Sequence, residues 1–242
     1  MTFKDTRYEF KLDLDNKLLL RKAQGVFSPT GTSALLIEAA RDNIKKPGRL
    51  LDLACGSGVI GLFLYKLGLL KPPLYASDLS CPSVACAKKN AALHNCPVEI
   101  RRGSLFEPWK NEKFDYIIND VAGIAEDVAK ISPWYKGVPC RSGIDGTLLV
   151  TEIIEKAPGH LSKKGVLFFP VISLSNTEKI LKTARNKFPR VKRLLHKEWL
   201  LPEKMNKYAG VLEELRNKKY IRFSEKFGMT IWFTDIYAAY KA

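Results

Sequence analysis

Asp52, Gly56 and Gly58, in the run Leu50-Leu51-Asp52-Leu53-Ala54-Cys55-Gly56-Ser57-Gly58-Val59-Ile60-Gly61, have the types and spacing to hold a ligand against the main chain. The run reads as a buried strand, a turn of small residues and the first residues of a helix. Glycine at 56 and 58 opens backbone conformations closed to other residues and lets a ligand come close. The free amides at the start of the next helix then face that ligand. Asp52, at the carboxyl end of the strand, puts an anion where a cationic group would be held. A phosphate site would leave out that carboxylate and often add a lysine. The turn is therefore suited to a ligand with an amine and a nucleoside, not to a pyrophosphate.

Further along, Leu74-Tyr75-Ala76-Ser77-Asp78 predicts a second short strand ending in an acid. A carboxylate at the end of strand two binds ribose hydroxyls in nucleotide-binding α/β folds. The spacing also fits a Rossmann dehydrogenase, but the G-x-G-x-x-G order is absent.

The elements that must position these acids alternate. Strands are expected at 49–53, 74–78, 97–101, 114–119 and 165–171, and helices near 59–68, 81–94, 146–158 and 176–188. Such alternation predicts an α/β fold, a Rossmann-like, mainly parallel sheet with helices on both faces. Tyr8 to Leu20, alternating around Asp15-Asn16, predicts an amino-terminal β-hairpin. Thr32 or Ser33 is the expected cap of the helix containing Ala34 to Ala40. Strands at 191–197 and 229–238 flank a helix near 203–217. One domain, 25–242, with a hairpin extension, 1–24, is expected. Asp52, Asp78, Ser104 and Asn119 then stand at or just past strand ends, around one crevice.

These residues resemble the class I S-adenosylmethionine-dependent methyltransferases. Asp52 to Gly58 matches their first motif and Asp78 their ribose-binding acid. Gly103-Ser104-Leu105-Phe106 matches the turn flanking the adenine, and Phe114 to Asn119 the strand that ends at the methyl-transfer site. Gly25-Val26-Phe27-Ser28-Pro29 and Asn90-Ala91-Ala92-Leu93-His94-Asn95 are similar to the branch of release-factor glutamine and ribosomal-RNA guanine-N2 methyltransferases. The resemblance covers about residues 24 to 175 and implies a seven-stranded sheet whose last strand is antiparallel. It implies S-adenosylmethionine as cofactor, held by Asp52, Ala54, Gly56, Gly58, Asp78, Leu79, Ser104, Leu105 and Asn119.

The fourth motif departs from that branch. There, Asn or Asp is followed by two prolines and an aromatic ring that stacks on the planar acceptor. Here the sequence is Asn119-Asp120-Val121-Ala122. Asn119 remains a catalytic candidate, and Asp120 offers a carboxylate that can accept a proton, or a cap for a helix at 121–125. Trp134 or Tyr135, after a short helix carrying Glu126, Asp127 and Lys130, can replace the missing ring, and Phe27 is the further substrate-binding candidate. Asp145 reads as a helix cap.

Composition sets the remaining bounds. No apolar run reaches the ~20 residues of a membrane span, and Met1-Thr2-Phe3-Lys4-Asp5 lacks the apolar stretch of a signal peptide. Five cysteines without a C-x-x-C pair suggest neither a disulfide framework nor a metal site and fit a reducing cytoplasm. His94, His160 and His196 have no ligand spacing. The net charge is +15. Lys179 to Lys226 alone holds fifteen Lys or Arg against five Glu, a surface suited to RNA or an acidic partner. The expected function is N-methylation of an RNA base or of a ribosome- or translation-associated protein. The alternatives are methylation of N or O in a small metabolite, or cofactor binding without catalysis.

Overall fold

Short apolar runs bounded by turn residues become the strands of one sheet. In the computed structural model, which describes residues 6–242, they alternate with helices. Residues 1–5, part of the expected extension and the stretch read against a signal peptide, lie outside the described residues. An antiparallel hairpin of β1 (Arg7–Lys11) and β2 (Lys17–Arg21) comes first. There follow α1 (Gly31–Asn43), β3 (Leu50–Leu53), α2 (Val59–Lys66), β4 (Leu74–Asp78), α3 (Cys81–Leu93), β5 (Val98–Arg102) and β6 (Phe114–Asn119). The second half contains α4 (Glu126–Ile131), α5 (Leu148–His160), β7 (Leu161–Ile172), α6 (Thr177–Lys187) and β8 (Arg190–Leu200). It continues with α7 (Glu203–Asn206), α8 (Ala209–Asn217), β9 (Ser224–Lys226) and β10 (Met229–Tyr240).

The strand order is β5-β4-β3-β6-β7-β10-β8, with β9 paired to β10. The first five are mutually parallel, and β10 runs antiparallel to both neighbours. The sheet is Rossmann-like, and β9 adds a short strand to the seven expected. Phe227 and Gly228 both take left-handed backbone, φ 53° and 72°, which gives the two-residue turn that matches strand twist. The helix expected near 203–217 is broken at Lys207-Tyr208, and its two pieces bury Met205, Leu212 and Leu215 in one cluster with Trp232.

The chain runs outward from β3 through β4 to β5, then returns to the other side of β3 at β6. A crevice opens outside the carboxyl ends of the strands at such a reversal. On one face α1, α2 and the hairpin form a core with Phe168 and Ile236; on the other, α5 and α6 pack on Leu51, Leu53 and Phe169.

Helix α1 starts earlier than expected. Thr30, not Thr32 or Ser33, is its cap: Thr30 Oγ1 accepts from the Thr32 amide at 3.2 Å, while Ser33 Oγ accepts from the Thr30 amide at 3.1 Å. This reciprocal pair satisfies donors on both sides of the helix start, and it fixes the Ser33 hydroxyl.

The hairpin is part of the core. Leu18 and Leu20 are fully buried. The Arg21 amide donates to Asn90 Oδ1 at 2.8 Å, and Asn90 Nδ2 donates to the Ser57 carbonyl at 2.9 Å. Buried Asn90 thus ties the hairpin to the glycine turn. Leu20→Ala should lower stability by about 2–5 kcal/mol in urea unfolding; a loss of about 0.5 kcal/mol, the value for a surface site, would mean the hairpin lies outside the core.

Candidate functional site

The turn after β3 is built from left-handed backbone. Gly56 and Gly58 have φ of 55° and 81°, and Ala54, which carries a side chain, has φ of 53°. A non-glycine residue held there costs on the order of 1 kcal/mol or more, which surrounding bonds must offset. They do so: the Cys55 amide donates to the Ser77 carbonyl at 3.0 Å, and the Gly56 amide to Asp78 Oδ2 at 2.9 Å. The turn is therefore hung on the end of β4.

Asp52 is 1% exposed and its Oδ2 accepts from the Gly61 amide at 3.0 Å. One of the helix-start amides expected to face a ligand is thus taken by Asp52. Gly61 permits this approach, because a Cβ there would lie 2.7 Å from the Leu74 side chain and 3.1 Å from Asp52 Oδ2. Burial pushes the Asp52 carboxyl up to about 7; the Gly61 bond opposes the shift, and the charges of Asp120 and Asp78 add to it. Burial likewise raises Asp78, against amide bonds from Ser80 and Gly56.

Asp120 lies just past β6. Segment 121–125 is not helical, and α4 begins after Ala125, so Asp120 caps no helix. It accepts instead from Ser33 Oγ at 2.5 Å. Burial raises its carboxyl to about 6, with the Ser33 bond pulling the other way. Asn119 behaves differently. It is fully buried, donates Nδ2 to the Phe168 carbonyl at 3.3 Å, and its Oδ1 has no hydrogen-bond partner among the described residues.

A cavity of about 450 Å³ collects these groups at the reversal of strand order. Asp52, Ala54, Gly56, Asp78, Leu79, Asp120, Phe27 and Tyr135 line it. Gly58, Asn119, Ser104, Leu105 and Trp134 do not. Gly58 caps α2. The Ser104 amide donates to Glu107 Oε2 at 3.1 Å, and the Leu105 carbonyl accepts from Ser77 Oγ at 3.3 Å. Trp134 packs on Trp232 with centroids 5.3 Å apart, lining a separate cavity. Asp145 does not cap α5, whose cap is Thr147; it accepts from Thr147 Oγ1 at 2.7 Å and Lys179 Nζ at 3.0 Å.

Sequence reading missed Ser33, Thr30 and Arg141, all of which line the cavity. Ser33 had a signal, since Thr-x-x-Ser before an apolar run is one short of a capping box. Arg141 had none, because its place depends on the path of the loop after α4. Among the described residues, no group of three or more His, Cys, Asp or Glu side chains is arranged to hold a metal ion.

Residues 17–120 match the family model of the methyltransferase small domain. The release factor glutamine methyltransferase of Geobacter sulfurreducens is 29% identical over 147 residues, covering 59% of this chain and 51% of that protein. The ribosomal protein uL3 glutamine methyltransferase of Bradyrhizobium diazoefficiens is 31% identical over 125 residues, with coverages of 49% and 39%. The chain spans about half the length, or less, of the curated relatives it matches. Among solved structures, ribosomal protein L11 methylase from Lactobacillus delbrueckii aligns with a TM-score of 0.62 at 16% identity, over 97% of this chain and 100% of that one. The T. thermophilus 16S rRNA N2 G1207 methyltransferase, in complex with AdoMet and guanosine, gives 0.61 at 16% identity, over 98% and 50%. Both share the fold.

The buried carboxylate has a measurable cost. Asp52 titrates above its ordinary 3.8, so between about pH 4 and 7 the folded chain binds more protons than the unfolded one. Its contribution to stability therefore falls as pH rises through that window. Asp52→Asn should stabilise the ligand-free protein at pH 8 by on the order of 2 kcal/mol and flatten the pH dependence of the urea midpoint; an unchanged midpoint would refute the buried-charge account. Ser33→Ala removes the bond that pulls Asp120 down, so this carboxyl should titrate at higher pH by carbon NMR, with Ser33→Thr restoring the original value.

Proposed function

We propose that this chain is an S-adenosylmethionine-dependent methyltransferase that uses the cavity at the β3–β6 reversal as its donor site. The observation that carries the reading is the convergence of Asp52, Asp78 and Asp120 on one cavity from three strand ends. Burial raises all three carboxyls, and at Asp52 the charges of Asp120 and Asp78 add to the rise; a cationic ligand opposes both effects. The residues fit the donor on two further grounds. Among the described residues, a Cβ on Gly56 would meet nothing within 4 Å, so the turn leaves a cradle that a side chain would fill. Each Asp78 oxygen already holds one amide, Gly56 at 2.9 Å and Ser80 at 2.8 Å, and keeps lone pairs for a pair of hydroxyls.

When bound, S-adenosylmethionine supplies a methyl on a sulfonium, whose departure as a neutral thioether needs no acid. The chain's own task is to place a nucleophile and take its proton. Asp52 holds the amine and Asp78 the ribose. Asp120, oriented by Ser33, accepts the acceptor's proton, a role for which a carboxyl at about 6 is suited near neutral pH. Asn119 fixes the strand that presents Asp120 through its bond to Phe168.

For the acceptor we infer an RNA base or a ribosome- or translation-associated protein, methylated on nitrogen. The support is a groove beside the donor site, sharing Tyr135, Val138 and Pro139 with it, to which Lys136, Lys204 and Lys207 contribute against Glu126, while Lys130 is paired with Asp127 at 2.7 Å. Such a field draws anionic partners. Five unpaired cysteines support a cytoplasmic location, and no helix among the described residues is long and apolar enough to cross a membrane. A small metabolite remains a second reading, favoured by the closeness of Asp120 to a polar wall of Thr30, Thr32 and Ser33 in the same cavity.

In calorimetry, Asp52→Ala and Asp78→Ala should each weaken S-adenosylmethionine by roughly tenfold or more; unchanged affinity would sink the donor assignment. Asp120→Asn should lower the methylation rate by roughly 10²–10⁴-fold with donor affinity intact. Acceptors are sought by mass spectrometry of extracts treated with the protein. An RNA acceptor should bind more weakly as salt rises, whereas a flat response would favour the metabolite.

A further inference from the structure

Beside the donor cavity lies a second one of about 250 Å³, and the two share Phe27, Thr30, Thr32, Tyr135 and Ile172. Its walls are aromatic. Trp134 comes from the loop after α4, Trp199 from β8 and Trp232 from β10, and these are three of the chain's four tryptophans. Among the described residues, no Asp, Glu, Lys or Arg lines it.

The rings are held in place. Trp199 and Trp232 are directly opposed across the β8–β10 ladder, centroids 6.0 Å apart and nearly stacked. Trp199 Nε1 donates to Thr234 Oγ1 at 3.2 Å, and Trp232 Nε1 to the Leu200 carbonyl at 3.3 Å. Both indole donors are thus used inside the protein, and the cavity is offered ring surface without those N–H groups. Gly31 makes room for this wall, since a Cβ there would lie 2.4 Å from Trp199 Cη2 and 2.9 Å from Cζ3. Phe27 and Tyr135, with centroids 4.9 Å apart, stand where the two cavities meet.

The geometry points to an acceptor subsite that takes an uncharged planar aromatic ring, with the atom to be methylated directed across the shared rim toward Asp120. The inference rests on the donor reading above and adds the acceptor's chemistry. A fixed π surface suits a flat ring, and the lack of charged lining disfavours an ion, whose desolvation nothing would offset. Thr30 links the rim to the carboxylate: it lines both cavities, its amide donates to Ser33 Oγ, and Ser33 donates to Asp120. The subsite takes the place of the stacking ring missing after Asn119, using strands outside residues 17–120.

The test is tryptophan fluorescence of the whole protein, saturated with S-adenosylhomocysteine and titrated with quinoline, guanosine, cyclohexanol or 2-naphthoate. Quinoline or guanosine should quench the emission saturably. Cyclohexanol, which is not flat, and 2-naphthoate, which is charged, should not. Trp134→Leu and Gly31→Ala should each weaken the ring by roughly tenfold, with S-adenosylhomocysteine affinity by calorimetry within about threefold. Tighter guanosine would mark a nucleobase, and tighter quinoline a small free aromatic. The subsite is overturned if no ring binds, if both variants bind as the wild type does, or if S-adenosylhomocysteine competes with the ring, since the cavity would then hold the donor's own adenine. Failure of S-adenosylhomocysteine to bind strikes the donor reading instead, and calorimetry reads it separately.

Discussion

Everything around the cavity at the β3–β6 reversal depends on keeping the Asp52 carboxylate out of water. Burying an unpaired anion is costly, and a group so placed holds its proton to a higher pH. The chain limits the cost with one backbone amide, from Gly61, and arranges its neighbours around that contact. Gly61 must lack a side chain, the turn before it must pass through left-handed backbone, and β4 must supply both a carbonyl and a carboxylate to hold the turn. The result is a cavity walled by carboxyls that burial raises, where a bound cation would lower the cost of their charge. Stability and ligand affinity are therefore opposed at one residue, a common arrangement in binding sites.

The same economy of contacts runs outward. Asn90 uses its amide to join the hairpin to the Ser57 carbonyl, so the first segment of the chain and the donor turn share one buried polar link. Ser33 does similar work on the other side, closing the α1 cap and steering Asp120 with one hydroxyl. In both cases a single side chain satisfies two elements at once, as buried polar groups must. The cavity is thereby tied to α1, α3 and the glycine turn, while the loop carrying Tyr135 and Arg141 supplies its other wall.

Much of the glycine turn and of the strands around it was legible in the sequence because it is local. Strand, turn and helix follow one another within residues 50 to 66, and the apolar runs at 74–78 and 114–119 match β4 and β6 residue for residue. What escaped was decided by direction or by distance. Asn119 and Asp120 are adjacent, yet side chains alternate across a sheet, so the first is sealed against Phe168 and the second opens to the cavity. Trp199 lies beyond the expected strand end at 197, so its pairing with Trp232 follows only from the observed length of β8. Residue type does not single out Thr30 as the cap, because Thr32 and Ser33 are equally good cap residues, and only the register of α1 distinguishes them.

The placing of β10 bears on how the molecule comes together. It follows β8 in the chain but lies between β7 and β8, so β8 has no place in the sheet until β10 has docked on β7. Pairings this distant in sequence form late, because the loop must close before its contacts return anything. The donor turn, by contrast, is made from neighbours. A chain in which β10 has not yet docked would thus present the glycine turn without its tryptophan wall, since Trp199 and Trp232 stand on β8 and β10.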